Sequence, residues 1–477
     1  MRWWGWFIDL CLIAACVAVA AMLRQDANWD QLQYHYWYPW QLFNGGFTDP
    51  DLYGGRFQNP LAQVPFYLIV NTFTPQIAQA ALGGLAGISV VLVRRIGMRV
   101  LPGEGGPLVV LSTIGALLGA LGAAFRSELG TSYSDILLAG LLLGALLLAL
   151  REQPLLAGLL AGAALGLKYT SAPFVLALLV AVLIVRWRAV GWWLLGTAAG
   201  WALTGAVWAW SLWRTYDSPV FPFWNTVFAS PWYPQENLTD ERYGVTGWQQ
   251  GLLWPWDMAT GEASVLDLAV RDARWLLLIG AVALIVAAGR RVGRDAWAVL
   301  AFTVVGLVTW LAVFGIIRYA IPAEMLAGLL IVLSLALWLT VQEAVAVSLL
   351  IAISTAVWTQ TAQGRRVDFG SQWFSVEPGA FDRVAPGDVV LVDGQYPSTF
   401  LLPGQLPRDV QVHVVQKDFV GTPLQDWLEK ELRGERVWVV TGRPPSQVDP
   451  AIGTISYDEC TRIRSNVVNR WLCPLTL

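Results

Sequence analysis

Residues 28–46 read NWDQLQYHYWYPWQLFNGG and follow at once on an apolar run, residues 4–23. About twenty apolar residues suffice to cross a bilayer as a helix. The chain therefore leaves that helix straight into an acid, Asp30, one of its two histidines, His35, and seven aromatic rings. The composition agrees with a membrane setting: of 477 residues, 56% are hydrophobic and only 14% charged, against roughly 25% charged in a soluble domain. A net charge of −3 supplies neither the basic stripe of a nucleic-acid binder nor an acidic tail. The first reading is a polytopic membrane protein with no nucleic-acid partner.

Ten further apolar runs repeat the first, at 76–93, 107–123, 135–150, 154–170, 171–185, 190–210, 275–289, 296–314, 324–340 and 344–360. They predict a mainly α, polytopic fold of eleven spans, with residues 61–73 as a shorter twelfth element. Lys168 and Pro173 interrupt the apolar stretch between 154 and 185. Cytoplasmic loops keep an excess of Lys and Arg. With the N-terminus inside, the inner loops receive Arg94, Arg95 and Arg99, then Arg151, then Arg186 and Arg188, then Arg290, Arg291 and Arg294. The long loops 24–60 and 211–274, and the tail from 361, then face outside. A cleaved signal peptide is the alternative for the first 22 residues, which end on AVAAM, but a retained span keeps the arginine pattern consistent.

The tail differs in kind. DVVLVDG (388–394), DVQVHVVQ (409–416) and ERVWVVTG (435–442) are short valine-rich runs bounded by Gly or charge, while PLQDWLEKELRG (423–434) has helical spacing and stops on Gly434. These predict two domains: 1–360 in the membrane and 361–477 as a small extracytoplasmic α/β domain. Cys460 and Cys473 lie in that domain, on the oxidising side, and are expected to pair as a disulfide; Cys11 and Cys16 lie in the first span. No C-x-x-C spacing and no second histidine near His35 points to a metal site.

Ionisable groups at membrane boundaries are costly to keep, so those present are candidates for function. The outer face collects Asp26, Asp30 and His35; Arg56; Arg126, Glu128 and Asp135; Lys168; Arg271, Asp272 and Arg274; and Arg318. A helix starting near Asp30 aligns it with Tyr34, Trp37 and Gln41. Asp30 is then either a carboxylate that takes a proton from an incoming hydroxyl or a helix N-cap, and position alone does not decide. Asp135 is a second acid or a cap, and Glu128 a second acid or a partner of Arg126. Lys168 and Arg318 are phosphate ligands or snorkelling interface anchors. Trp37, Trp40 and the Trp208 to Trp213 cluster read first as an aromatic belt at the interface.

In this order, NWDQLQYHYWYPWQLFNGG, NPLAQVPFYL (59–68), SELGTSYSDI (127–136), GLKYTSAPF (166–174), SPVFPFWNTVFASPW (218–232) and RYAIPAE (318–324) resemble the GT-C superfamily of membrane glycosyltransferases, especially bacterial relatives of the protein mannosyltransferase and aminoarabinose transferase group. The resemblance implies an inverting transfer of a hexose or pentose from a polyprenyl-phosphate donor to a glycan, lipid or protein hydroxyl outside the bacterial inner membrane. Asp30 matches the first-loop acid, the catalytic base, and Glu128 or Asp135 the second-loop acid. Arg318, Lys168 and Arg56 would neutralise the donor phosphate, with Tyr34, Trp37 and Asn59 as substrate contacts. Departures are visible too. Asp30 is followed by Gln31 rather than a second acid, so a divalent metal is not supported, and no other cofactor is implied. Asn59 replaces the basic residue that relatives often carry before the proline. The competing function is a transporter or flippase of lipid-linked sugars, which calls for ionisable groups near mid-span, whereas here only Asp9 departs from one face.

Overall fold

The computed structural model describes residues 2–45, 57–238, 244–245, 247–262, 270–362, 364–416, 419–442 and 453–476; Arg56 lies outside them. The chain forms two compact units, one of Met1–Leu23, Gln79–Gly205 and Asp240–Gly364, the other of Arg24–Ala78, Ala206–Thr239 and Arg365–Leu477.

Ten of the eleven expected apolar runs coincide with a helix of the first unit; the run 190–210 is corrected, since Gly205 breaks it into Val190–Thr204 and Ala206–Tyr216, and the latter belongs to the second unit. Among the described residues, six helical runs are long and apolar enough to cross a membrane: Trp4–Met22, Pro75–Val100, Tyr169–Thr204, Arg294–Val313, Ile317–Ala336 and Val341–Trp358. Gly105–Ala120, Asp135–Leu150 and Pro154–Leu167 are shorter apolar helices. Lys168 is where one helix stops. Its backbone is extended at φ −156° and ψ 120°, and a 3-10 turn, Tyr169–Ser171, leads into the next helix, Ala172–Arg186. Pro173 is tolerated there because it falls in the first turn, where no helical N–H is needed.

Helices Pro154–Leu167 and Val190–Thr204 touch backbone to backbone. A Cβ added at Gly158 would run into the Trp193 carbonyl, one at Gly162 into the Thr197 carbonyl, and one at Gly200 into the Leu159 carbonyl. Small residues four apart are how apolar helices approach this closely without a hydrophobic driving force between them.

Charges buried in the first unit are neutralised in groups. Asp9 accepts from Arg94 Nε at 2.8 Å and is also bonded by Arg95. Nearer the surface, Glu152 meets Arg294 at 3.0 Å and Arg186 at 3.4 Å, and Arg99 meets Asp295 at 3.0 Å. The deepest group is Asp272, Arg274 and Glu324, with Arg274 Nη2 2.5 Å from Asp272 and 3.4 Å from Glu324. Glu324 accepts the N–H groups of Ala124 (3.0 Å) and Phe125 (2.9 Å), Asp272 accepts that of Ala123 (3.3 Å), and Arg274 donates to the Leu118 carbonyl at 2.7 Å. These bonds hold the start of the short helix Ala123–Glu128 through donors that a helix leaves open.

The second unit is built on a six-stranded sheet. Its strands follow β1 (Gln25–Asp26) and β2 (Arg366–Val367), which pair with each other. They are β3 (Val389–Asp393), β4 (Gln411–Val415), β5 (Val437–Thr441), β6 (Thr454–Ile455), β7 (Thr461–Ile463) and β8 (Arg470–Thr476). The order is β4-β3-β5-β8-β6, with β7 also on β8. β4, β3 and β5 run parallel, and β8 is antiparallel to its neighbours. Cys460 and Cys473 are joined by a disulfide.

Successive side chains of a strand point to opposite faces, and here both faces are apolar. Val389, Leu391, Val437, Val439, Cys473 and Leu475 face one core, covered by Leu424, Leu428 and Leu432 of the tail and by Phe57, Trp208, Leu212, Tyr216 and Phe221. Val390, Val392, Trp438, Val440 and Leu472 face the other, covered by Ala27, Leu32, Tyr34, Trp37 and Tyr38 together with Phe400, Leu401 and Leu402. The interfacial reading of the aromatics is corrected in part. Trp37 and Trp208 are core residues of this unit, while Trp210 and Trp213 remain exposed.

Two stability predictions follow from the first unit. Gly162→Leu is expected to cost roughly 1–3 kcal/mol, seen as a lower thermal midpoint in detergent. Gly191→Ala, where nothing lies within 4 Å of the added carbon, is expected to leave the midpoint unchanged or higher. Glu324→Gln, which strips one of two buried partners from Arg274, is expected to cost about 3 kcal/mol, and an unchanged midpoint would contradict the bracing role of this group.

Candidate active site

Three of the candidate residues meet in the first unit. Asp135 is the first residue of the helix Asp135–Leu150, one position past the N-cap, which is Ser134, so the cap reading of Asp135 is set aside. Its Oδ1 accepts from Lys168 Nζ at 2.8 Å, and its Oδ2 lies 3.8 Å from Arg318 Nη1. Lys168 reaches it because the chain leaves its helix at that residue, and Arg318 because it stands in the 3-10 turn Ile317–Ala320 between two helices. Both side chains are largely buried and turned onto the carboxylate, so the snorkelling reading of either gives way to an ion-pair cluster. Aromatic faces complete it: Arg318 lies 4.4 Å from the centre of the Tyr133 ring and Lys168 4.6 Å from that of Tyr319, contacts favourable to a cation with little water around it.

Glu128 ends the helix Ala123–Glu128 and is buried. The chain then turns through Gly130, at φ +70°, where the left-handed backbone favours glycine. Thr131 Oγ1 donates to the Glu128 carbonyl at 2.8 Å. Arg126 contacts the Thr359 carbonyl at 3.5 Å. The segment that carries both acids is thus fixed at its start by Asp272 and Glu324. Glu324, the last residue of RYAIPAE, was not among the sequence candidates; its signal was an acid inside an apolar run.

Asp30 lies in the second unit and is 6% exposed. Its backbone is helical, at φ −63° and ψ −37°, and it makes no side-chain capping bond. Asn28 does that work, its Oδ1 accepting from Gln31 N at 2.8 Å while Asp26 Oδ2 accepts from Asn28 Nδ2 at 2.6 Å. The N-cap reading of Asp30 is therefore set aside. Residues Gln31–His35 form a π-helical turn before the helix Trp37–Asn44. A π turn carries an extra residue, about 100° of rotation, so the expected face through Asp30, Tyr34, Trp37 and Gln41 is broken. Tyr34 and Trp37 serve the sheet core rather than an open face, and Asn59 caps the 3-10 turn Pro60–Gln63 by accepting from Leu61 N at 3.0 Å. His35 packs edge-on against Tyr34. Burial, with Tyr67 beside it, pushes Tyr36 to about 12, so it keeps its proton.

Comparison with known proteins agrees with this architecture. The family model described as glycosyltransferase family 87 matches residues 57–314. Two crystal structures of ArnT from Cupriavidus metallidurans are similar in fold. The one bound to undecaprenyl phosphate has a TM-score of 0.56 at 12% identity, covering 98% of this chain and 97% of that one. The apo state gives 0.58 at 13%, covering 99% and 98%. No curated relative matches the sequence. The matched region spans just over half of the chain and takes in most of its apolar helices, and the chain accordingly belongs to glycosyltransferase family 87, as a GT-C membrane glycosyltransferase.

Proposed function

We propose that the protein moves a hexose or pentose from a polyprenyl-phosphate donor to an acceptor hydroxyl of a glycan, lipid or protein. The observation that carries this reading is the cluster in which two fixed cations, Lys168 and Arg318, are held at one point by Asp135. A polyprenyl-phosphate sugar is a phosphodiester with one negative charge, and the polyprenyl phosphate that leaves tends toward two. Fixed cations therefore bind the departing phosphate more strongly than the donor, and such differential stabilisation accelerates the chemical step. The undecaprenyl phosphate bound by ArnT, a protein of the same fold, supports the donor class.

In this reading the acceptor oxygen attacks the anomeric carbon, its proton passes to the Asp30 carboxylate, and the bond from that carbon to the phosphate oxygen breaks, its electron pair leaving on the phosphate. A single displacement inverts the anomeric centre. Lys168 and Arg318 hold the phosphate, with Arg56 as a further ligand, while Asp135 keeps the two cations in register and Glu128 is the second acid. The eleven helices cross a bacterial inner membrane with the N-terminus cytoplasmic. Residues 1–360, with loops 24–60 and 211–274, are the transferase region, and 361–477 the extracytoplasmic α/β domain.

The test uses membrane vesicles carrying the full chain, which supply acceptor, and a panel of undecaprenyl-phosphate-linked hexoses and pentoses, read as release of undecaprenyl phosphate over vesicles lacking the chain. At least one donor is expected to react, and none reacting would remove the donor class. Asp30→Asn is expected to lower kcat at least about a hundredfold in a folded protein; normal turnover would remove the base. Arg318→Gln is expected to weaken undecaprenyl phosphate binding about tenfold, and unchanged affinity would count against the phosphate role.

A further inference from the structure

The turn that carries Asp30 is gripped from the tail. Gln33, three residues after Asp30, receives two hydrogen bonds from consecutive residues at the start of the 3-10 turn Thr399–Leu401. The Ser398 N–H donates to Gln33 Oε1 at 3.1 Å, and the Thr399 hydroxyl donates to the Gln33 carbonyl, with the Leu32 carbonyl 3.4 Å away. Both carbonyls belong to the π turn Gln31–His35. A π turn is wider than an α turn, and on returning to α pitch it offers one carbonyl more than the ladder has N–H groups. A buried carbonyl must find a donor elsewhere, and Thr399 supplies one.

The gripping residues are braced in turn. Arg470 donates to Ser398 Oγ at 2.8 Å and to the Pro397 carbonyl at 3.0 Å. Asp393, at the end of β3, accepts from Gln395 N at 3.0 Å and from the Thr441 hydroxyl of β5 at 2.9 Å. Burial, and then Arg365 nearby, push Arg470 down to about 10, so the fold keeps this guanidinium out of water for the sake of the loop it orders. Loops at the carboxyl ends of parallel strands are where α/β sheets usually hold ligands. Here that position is spent on a helical turn of the same chain.

We propose that Thr399, with Ser398, is a positioning residue for Asp30: its hydroxyl keeps the π turn wound, and with it the height and direction of the carboxylate. The inference rests on the reading of Asp30 as the base. It also assigns the tail a part in the reaction, as the template for the first loop.

Two substitutions separate the hydroxyl from the shape. Thr399→Val keeps the volume and removes the donor, and Thr399→Ser keeps the donor and removes a methyl group. With the donor that the wild type uses best, Thr399→Val is expected to lower kcat about tenfold with KM unchanged, and Thr399→Ser to keep most of the turnover. Wild-type kcat in Thr399→Val, a loss in KM alone, or equal impairment of both variants overturns the proposal. Asp30→Asn, assayed alongside, distinguishes the two readings. If it is inactive while Thr399→Val is normal, only the clasp falls; if it is active, the base reading falls and the clasp with it. Should Thr399→Val not stay folded in detergent, Gln33→Met, which removes only the acceptor for the Ser398 N–H, is judged by the same kcat criterion.

Discussion

A sheet that is apolar on both faces has to be covered twice, and the second unit is organised around that need. β3 and β5 alternate their side chains between two cores, so neither face can be left to water. The tail supplies only part of each cover. Residues 27–38 complete one face and residues 206–221 help complete the other, which makes a single unit of two loops and a tail that are far apart in sequence. The candidate base is set by this arrangement, because the segment that carries Asp30 is a structural layer of the sheet before it is anything else.

The first unit obeys a different constraint. Its helices bury charge in an apolar setting, and each buried charge has to be met where it stands. Asp9 is met by Arg94 and Arg95, and Arg274 by Asp272 and Glu324. Asp135 is met by Lys168 and Arg318. The first two groups explain how helices are fixed. The third gathers two cations at one carboxylate, and it sits at breaks between helices, where backbone irregularity lets Lys168 and Arg318 turn toward one point.

Much of this was legible from residues alone. The apolar runs located the helices because burial in lipid or in a helical core demands continuous apolarity, and Lys168 with Pro173 marked a true break. The valine-rich runs marked three of the strands, since period-two burial on both faces reads as an unbroken apolar string. The aromatics of residues 28–46 misled, because a tryptophan suited to a membrane interface is equally suited to a sheet core, and only the partner tells them apart. That partner lies more than three hundred residues away. Asp30 read equally as a cap or a base because acids often cap helices, and Asn28 two residues earlier was as good a cap candidate. The glycines at 158, 162 and 200 and the acid at 324 were in plain view, and their use depends on neighbours that local spacing does not reveal.

The cover supplied by residues 27–38 has a consequence in time. The bond between Thr399 and Gln33 joins residues 366 apart. At about 5–20 residues per second, a ribosome needs roughly 20–70 s to make the second after the first. Through that interval the first loop is already synthesised while the sheet that will bury Leu32, Tyr34 and Trp37 does not exist. Synthesis therefore passes through a stage in which an aromatic-rich segment has no protein partner, and the maturation of this protein is paced by its last hundred residues.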